Sequence, residues 1–334
     1  MYTEYPEGYK PIDEHEKEII QKFDSIQDLP WIKYLYHNVR PVMATYIIGI
    51  HIIGLLSIPC LFNCKYETLF AAFLLDVAGK IGITAGPHRL YSHKSFKASS
   101  VYRWFIMILA SIANEAPIYN WVLDHRVHHK YSETRADPHN ALRGFFFAHV
   151  GWLLVKKDPR IKFAGKHVPM DDIRTLPEIM LQRKLDPFLS MFCCFVAPTL
   201  AGLIWGETFY NSFMILGVFK YLCTLHATWT INSVAHMYGT HPYDPKSHPA
   251  ESPVASFFAL GEGWHNYHHA FPSDYATSEF GWHEQWNPTR LFIDACAWIG
   301  LVSDRKRSDE MCATRVKKNN SNNIVGAPMF KYRY

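Results

Sequence analysis

No Cys-x-x-Cys pair and no charged leader followed by an apolar stretch occur in this sequence of 334 residues. The 7 cysteines are scattered, so neither a disulfide framework nor a thiolate metal site is expected. Cys60 and Cys64 flank a short turn and could pair in an oxidising lumen, but free thiols are the expectation. The formal net charge is only +4, and no basic block with interleaved aromatic residues suggests a nucleic-acid partner.

Apolar residues make up 49% of the chain and aromatic residues 15%, which suits a membrane protein with a large water-facing part. Four stretches approach the roughly 20 apolar residues that a helix needs to cross a bilayer, and they are residues 42–62, 68–86, 188–206 and 208–227. Asp76 and Lys80 interrupt the second stretch. Because the links at 63–67 and at Glu207 are short, the predicted fold is an all-α integral membrane protein with four transmembrane helices in two hairpins.

Lysines and arginines concentrate between the two predicted hairpins and after the second one. Cytoplasmic loops are enriched in these residues, so both regions and both termini are expected in the cytosol. Residues 87–187 and 228–306 would then form a cytosolic helical cap, in which 104–113 is too short for a fifth crossing and fits an amphipathic or interfacial helix, or a piece of the cytosolic core. The predicted division of the chain is a cytosolic N-terminal segment, a membrane domain and a flexible cytosolic tail, at 1–40, 41–306 and 307–334.

Histidines recur at regular spacing in and near the predicted cap, and they are His88, His93, His125, His128, His129, His236, His265, His268 and His269. Residues three or four apart share a helix face, so each His-x-x-His-His run can present its rings together. His88 and His93 are five apart and converge only if the helix ends or bends near residues 90–92. We therefore expect His93 just beyond the end of the second span.

Imidazole is the commonest metal ligand near neutral pH. One zinc ion takes four ligands, so two redox metals, with iron the best candidate, fit this set better than zinc or a regulatory metal. Nearby carboxylates could orient the rings through their second nitrogen, and they are Asp124, Glu133, Asp137 and Glu262. Isolated histidines are expected to be ordinary hydrogen-bonded groups, and they are His15, His37, His51, His149, His167, His226 and His283.

Four segments together resemble the membrane-bound acyl-CoA desaturases, in particular the stearoyl-CoA (Δ9) branch of animals. They are GPHRLYSH, WVLDHRVHHKYSETRADPHN, NSVAHMYG and GEGWHNYHHAFPSDY, and the resemblance runs from about residue 31 to residue 306. It implies four transmembrane helices under a cytosolic cap that holds a di-iron centre. It also implies an endoplasmic reticulum enzyme that inserts a cis double bond, usually between carbons 9 and 10, into palmitoyl-CoA or stearoyl-CoA. The oxidant would be O2, with electrons from cytochrome b5 and NADH-cytochrome b5 reductase.

The same resemblance assigns roles to individual residues. One iron would be bound by His88, His93, His125, His129 and His268. The second iron would be bound by His128, His236, His265 and His269, with Asn232 acting through a water. The acyl-CoA head group would contact Asn38, Asp124, Lys156 and Lys157. Trp121 and Trp229 would line the acyl channel, although ordinary core packing is the alternative for each.

The sequence departs from the family pattern in two regions. Leu123 stands where the family has an arginine, and Ala116 where it has an asparagine near the thioester. A charge-assisted hydrogen bond contributes about 1.5–3 kcal/mol, so these losses weaken head-group binding unless they are compensated. Asp76 and Lys80 replace uncharged residues at the closed end of the channel, and at four apart they are expected to pair. The pair would shorten or cap the channel, or it would face the bundle interior away from substrate.

Two other interpretations stay open at the level of sequence. One is an enzyme of the same family that desaturates another carbon or hydroxylates, which product analysis with double-bond location distinguishes. The other is a non-catalytic, metal-bearing membrane protein that binds acyl lipids. The complete histidine set argues against the second interpretation, whereas Leu123, Ala116 and Asp76 keep it in consideration.

Overall fold

The computed structural model describes residues 14–27 and 31–321, and the described chain is almost entirely helical. Helices α1 (Glu14–Gln27) and α2 (Trp31–Asn38) precede the first apolar stretch. The Asp24 carboxylate of α1 lies 2.7 Å from Arg160 and 2.6 Å from Arg135. These ion pairs fasten the N-terminal helix to the domain that carries the histidines.

Four helical stretches are long and apolar enough to cross a membrane, and they are Pro41–Phe62, Tyr66–Ser92, Phe188–Trp205 and Phe209–Met237. The prediction of four spans is confirmed. The second and fourth helices run beyond the predicted ends at 86 and 227. Their additional turns carry polar residues that face protein rather than lipid, which hydropathy alone does not recognise as part of a span.

The four stretches change their winding along their length. The first is α3 (Pro41–Ser57) with a 3₁₀ turn (Ile58–Phe62), and the second is α4 (Tyr66–Ile83) continued by a π-helix (Thr84–Ser92). The third comprises α11 (Phe188–Met191), a π-helix (Phe192–Val196), α12 (Ala197–Gly202) and a 3₁₀ turn (Leu203–Trp205). The fourth comprises α13 (Phe209–Ser212), a π-helix (Phe213–Phe219) and α14 (Lys220–Met237).

Helices α5 (Ser100–Ala113) and α6 (Ile118–Tyr131) meet at an angle of 83°. Asn114 takes the left-handed conformation with φ 52°, and Pro117 then starts the new helix direction. Because of this bend, α5 is a separate short helix, as the half-length apolar stretch predicts. α5 packs closely on α4, where a Cβ on Gly82 would lie 2.3 Å from the carbonyl carbon of Leu109.

Short helices and turns complete the chain, and they are a 3₁₀ turn (Ala141–Arg143), a π-helix (Phe147–Gly151), α7 (Trp152–Leu154), α8 (Pro159–Lys166), α9 (Asp171–Arg174), α10 (Pro177–Leu185), α15 (Pro253–Phe258), α16 (His265–Ala270), α17 (Pro288–Trp298) and α18 (Asp309–Ser321). Strands β1 (Lys97–Ala98) and β2 (Val302–Ser303) pair antiparallel, with Lys97 opposite Ser303. This small ladder and three isolated β-bridges are the departures from the predicted all-α class within the described ranges.

The prediction of a flexible tail from residue 307 is wrong up to residue 321. Helix α18 lies in this region, and its Cys312 is buried against Tyr243, Tyr267 and Phe271. Arg307, at the start of this segment, lies 3.2 Å from the buried Asp274. Residues 322–334 lie outside the described residues.

Candidate metal centre

Five histidine rings converge at one site, and we call them the five-histidine group: His88, His93, His125, His129 and His268. Their candidate ligand nitrogens all lie within 4.8 Å of one another. The Nε2 atoms of His88 and His268 are 2.9 Å apart, and those of His93 and His125 are 2.8 Å apart. The π-helix ends at Ser92, so His93 turns back beside His88, as the five-residue spacing requires.

Four further histidines form a second set, the four-histidine group: His128, His236, His265 and His269. The Nε2 atom of His265 lies 3.0 Å from that of His236 and 3.2 Å from that of His269. The two groups share helices α6 and α16, each of which sends rings to both sides. The i, i+3, i+4 spacing therefore divides each His-x-x-His-His run between two neighbouring sites.

Three carboxylates hold histidine rings from behind. Glu262 lies 2.8 Å from His88 Nδ1, Asp137 lies 2.9 Å from His128 Nδ1, and Glu133 lies 2.6 Å from His236 Nδ1. A carboxylate at Nδ1 keeps the proton there and leaves the Nε2 lone pair directed into the group.

The prediction that Asp124 would act in the same way is wrong, because Asp124 instead pairs with Lys157. Glu262 is itself held by the buried Arg89, whose Nη2 lies 2.8 Å from the carboxylate.

Electrostatics keep most of the converging rings neutral; the exception is His128, whose pKa is raised because the Asp137 carboxylate outweighs the effect of burial. Burial, followed by the neighbouring histidines, lowers the pKa of His93, His265, His268 and His269 well below the usual value. Neutral rings with inward lone pairs are the form of histidine that binds a metal ion. The donor set thus fits metal ions at both groups.

Sequence reasoning missed two residues of this region. His139 is buried, its ring lies 4.3 Å from that of His128, and with Asp137 the three could hold a metal as well. The available signal was its position two residues after Asp137. Arg89 is fully buried and also donates to the carbonyl of Tyr275 at 2.9 Å. Nothing in its spacing signals this role apart from adjacency to His88.

The residues predicted to contact substrate lie on α2, α6 and α14 and just after α7. The Trp121 indole stacks on the His125 ring at 4.8 Å and 21°. Asn38 is 1% exposed, and its carbonyl accepts from the Lys156 amide at 2.7 Å. The side chains of Lys156 and Lys157 are exposed. Asn232 lies one helical turn before His236 on α14, with its side chain partly exposed.

A polar stripe descends from the metal centre along α14 at four-residue intervals, comprising Lys220, Thr224, Thr228, Asn232 and His236. Thr228 donates to Glu115 at 2.6 Å, and Thr224 donates to Asp76 at 2.9 Å. The predicted pairing of Asp76 with Lys80 is confirmed, at 2.6 Å with both side chains mostly buried. Lys220 Nζ lies 3.1 Å from the carbonyl of Ile112.

Three of the histidines expected to be isolated form a separate three-histidine cluster: His51, His149 and His226. His51 Nε2 lies 3.2 Å from His226 Nε2, and His226 Nδ1 lies 3.0 Å from His149 Nε2. At the two ends of this row of rings, His51 Nδ1 donates to the Ile47 carbonyl at 2.6 Å and His149 Nδ1 lies 2.9 Å from Ser233 Oγ. Trp229, the second predicted channel residue, stacks on His51 at 6.0 Å. Each of the 7 cysteines is a free thiol.

The four apolar spans and the two histidine groups define a multi-pass membrane protein with a histidine-rich metal site. The model of the fatty acid desaturase family matches residues 67–284. The chain is 44% identical over 305 residues to the Delta(9)-fatty-acid desaturase fat-6 of Caenorhabditis elegans, covering 90% of this chain and 88% of the relative.

Two mammalian proteins are similar over nearly the same range. The stearoyl-CoA desaturase 2 of Rattus norvegicus is 44% identical over 86% of this chain and 79% of its own length. The stearoyl-CoA desaturase of Homo sapiens is 41% identical over 88% of this chain and 80% of its own length. The chain therefore belongs to the fatty acid desaturase family.

Proposed function

We propose that the protein is a fatty acyl-CoA desaturase that inserts a cis Δ9 double bond. The observation that carries this proposal is the convergence of nine histidines in two adjacent groups, in a chain whose relatives are named stearoyl-CoA and Δ9 desaturases. An unactivated methylene offers no acid, base or leaving group for side chains to act on. The oxidation of the methylene must therefore depend on a bound metal, while the protein positions the substrate and excludes water.

Two iron ions are the proposed cofactors, one at the five-histidine group and one at the four-histidine group, with Asn232 contributing through a water. Imidazole ligands suit iron, and bound iron would supply the oxidising power for removing two hydrogens from the acyl chain with O2. Glu262, Asp137 and Glu133 fix the ring tautomers. Trp121 shields one side of the five-histidine group from water by stacking on His125.

The proposed substrate is palmitoyl-CoA or stearoyl-CoA, with its head group near Asn38, Asp124, Lys156 and Lys157. Electrons would come from cytochrome b5 and its NADH-dependent reductase. The density of lysine and arginine between the second and third spans favours a cytosolic cap, two hairpins with short lumenal turns, and an endoplasmic reticulum membrane location with cytosolic termini. These assignments rest on the family and on charge distribution.

Asp76 and Lys80 are proposed to set the length of the acyl channel. The pair is held by Thr224 from the fourth span, so it lies between the second and fourth helices inside the bundle. Thr228 donates a hydrogen bond to Glu115 on the side of the pair nearer to the metal centre. Displacing these hydrogen-bonded groups with an apolar acyl chain would cost free energy, so shorter acyl chains are favoured.

Expression in a yeast strain without its own Δ9 desaturase tests the function directly. We expect growth without added oleate and new Δ9 products, with a higher 16:1 to 18:1 ratio than a human stearoyl-CoA desaturase control gives. Unsaturation at another carbon, or a hydroxylated product, would overturn the proposed regiochemistry or outcome. No product despite stable expression in the membrane would favour the non-catalytic interpretation.

The chain-length proposal has its own variant. Asp76→Tyr with Lys80→Ala removes the charged pair, and we expect the 16:1 to 18:1 ratio to move toward 18:1. Thr230→Val is the matched control, because its hydroxyl bonds only within α14, to the carbonyl of Ala227 at 2.6 Å. An unchanged chain-length profile in the double variant would mean that the ion pair faces away from substrate.

A further inference from the structure

A cavity of about 300 Å³ opens beside the first turn of α5, away from the predicted head-group residues. Its lining includes three basic side chains and one acidic one, Lys94, Lys97, Arg103 and Asp172, together with the ring of Tyr91. The cavity lies behind the π-helix that carries His88, on a side that the proposed reaction does not use.

Positive charge is in surplus at this cavity. Asp172 is shared between Lys94 at 3.0 Å and Arg126 at 2.7 Å, so one carboxylate serves two cations. Lys97 pairs with Asp304, but the side chains are 78% and 60% exposed, and such surface pairs contribute little. Arg103 neutralises the fully buried Glu178 below it. An anion that entered the cavity would therefore meet the exposed ammonium groups of Lys94 and Lys97, with the charge of Arg103 behind them.

The Tyr91 hydroxyl does not open into the cavity. Tyr91 is 3% exposed, and its hydroxyl is buried without a hydrogen-bond partner among the residues that the structure describes. The charged groups nearest to it are Glu178 and Arg103. The basic side chains alone would therefore hold an anion in the cavity.

The position of the cavity indicates where that anion comes from. Helix α5 exposes Val101, Trp104, Phe105 and Ile108 immediately after the cavity residues. The same helix packs on α4 and on the start of the third span at Phe188–Met191. Exposed apolar and tryptophan side chains at the end of a membrane span lie at the headgroup level of the bilayer. Basic side chains beside them face lipid phosphates.

We propose that this cavity binds a phosphate group, carried by an anionic phospholipid of the surrounding bilayer, through Lys94 and Lys97, with Arg103 adding positive charge behind them. The bound lipid holds α5 against the membrane surface. Because Lys94 follows His93 directly, occupancy of the site also steadies the loop that ends the second span.

Titration of the purified full-length protein in detergent with dioctanoyl phosphatidic acid, followed by native mass spectrometry, tests this site. We expect binding at least about tenfold tighter than that of dioctanoyl phosphatidylcholine. The double variant Lys94→Gln, Lys97→Gln should lose about tenfold in affinity, as expected for removal of charge-assisted hydrogen bonds.

Two controls locate the effect. Lys162→Gln removes an exposed lysine elsewhere and should bind like the unmodified protein. Lys156→Gln removes an exposed lysine of the predicted head-group site, and if it weakens phosphatidic acid binding while the cavity variant does not, the proposal fails. Equal binding of phosphatidic acid and phosphatidylcholine would also overturn it.

Inorganic phosphate identifies the source of the ligand. Resistance of bound phosphatidic acid to millimolar inorganic phosphate supports a lipid headgroup. Competition that is lost in the Lys94→Gln, Lys97→Gln variant supports a phosphate site filled from solution. The closing measurement does not depend on catalysis, so a failure of the desaturase proposal and a failure of this one are distinguishable.

Discussion

Histidine rings cluster at two places in this protein, the metal centre and the three-histidine cluster. The two places differ in the groups that bond to the outer nitrogens of the rings. At the metal centre, Glu262, Asp137 and Glu133 hold Nδ1 atoms, and the Nε2 atoms point inward at one another. In the three-histidine cluster, no carboxylate holds a ring within the described chain. Its rings form a line that ends on the Ile47 carbonyl and the Ser233 hydroxyl.

The comparison shows that ring convergence, and not histidine density, marks a metal site. His226 uses both of its nitrogens within the line, one toward His51 and one toward His149. It therefore keeps no free lone pair for a shared ion. At the metal centre, His88, His128 and His236 keep Nε2 free because a carboxylate occupies the other nitrogen.

The sharpest test replaces one ring at each of the two places. We expect His265→Ala, like His128→Ala, to abolish desaturation and to lower bound iron, because the four-histidine group loses a ligand. His226→Ala should retain iron and most activity. The measurement is iron content by elemental analysis of purified protein, with product analysis in the yeast strain and immunoblots of membranes. Retained turnover in His265→Ala or His128→Ala would contradict the di-iron assignment, and iron loss in His226→Ala would erase the distinction.

Sequence reasoning finds the metal centre because the spacing of its histidines follows from the helix. His125, His128 and His129 are placed by the pitch of α6, and His265, His268 and His269 by that of α16. Their assembly into one site needs only that all clusters lie on one side of the membrane. The three-histidine cluster has no such signal, because His51 and His226 are 175 positions apart and meet only through packing of the spans.

The partners of the rings are harder to predict than the rings. The sequence contains four candidate carboxylates near the histidines. In the structure three of them contact histidine rings, whereas Asp124 pairs with Lys157. That choice depends on where the segment around Lys157 returns to α6, which no local pattern encodes. Glu115 is likewise placed against Thr228 by the 83° bend between α5 and α6.

An intermediate effect is expected from the supporting carboxylates. Glu133→Gln keeps the shape of the side chain but removes the charge that fixes His236, so iron affinity or activity should fall about 10–100-fold. The matched control is Glu310→Gln on the exposed face of α18, which should behave like the unmodified protein. The measurement is iron retained after dialysis against a chelator series. If Glu133→Gln lost half of its iron at the same chelator concentration as the unmodified protein, the carboxylates would not explain the difference between the metal centre and the three-histidine cluster.

The smallest expected effect concerns the pH dependence of the three-histidine cluster. Burial, and then the neighbouring His51, lower the pKa of His149 below its usual value, outweighing the opposing contact with the Trp229 backbone. The unfolded chain therefore takes up a proton near pH 6.5 that the folded His149 does not. The free energy of unfolding must fall as the pH drops below about 6.5, whereas above that value His149 contributes no pH dependence.

We expect His149→Gln to reduce the loss in melting temperature between pH 7.5 and pH 5.5 by on the order of 1–2 °C. The control His283→Gln replaces an exposed histidine and should keep the full loss. Both variants retain the metal centre, so acid release of metal affects them equally and cancels in the difference. If His149→Gln kept the full pH dependence, the line of three rings would already accept a proton when folded. The three-histidine cluster would then be less suited to metal binding than its number of histidines suggests. A ring that readily takes a proton cannot offer its lone pair to a metal ion.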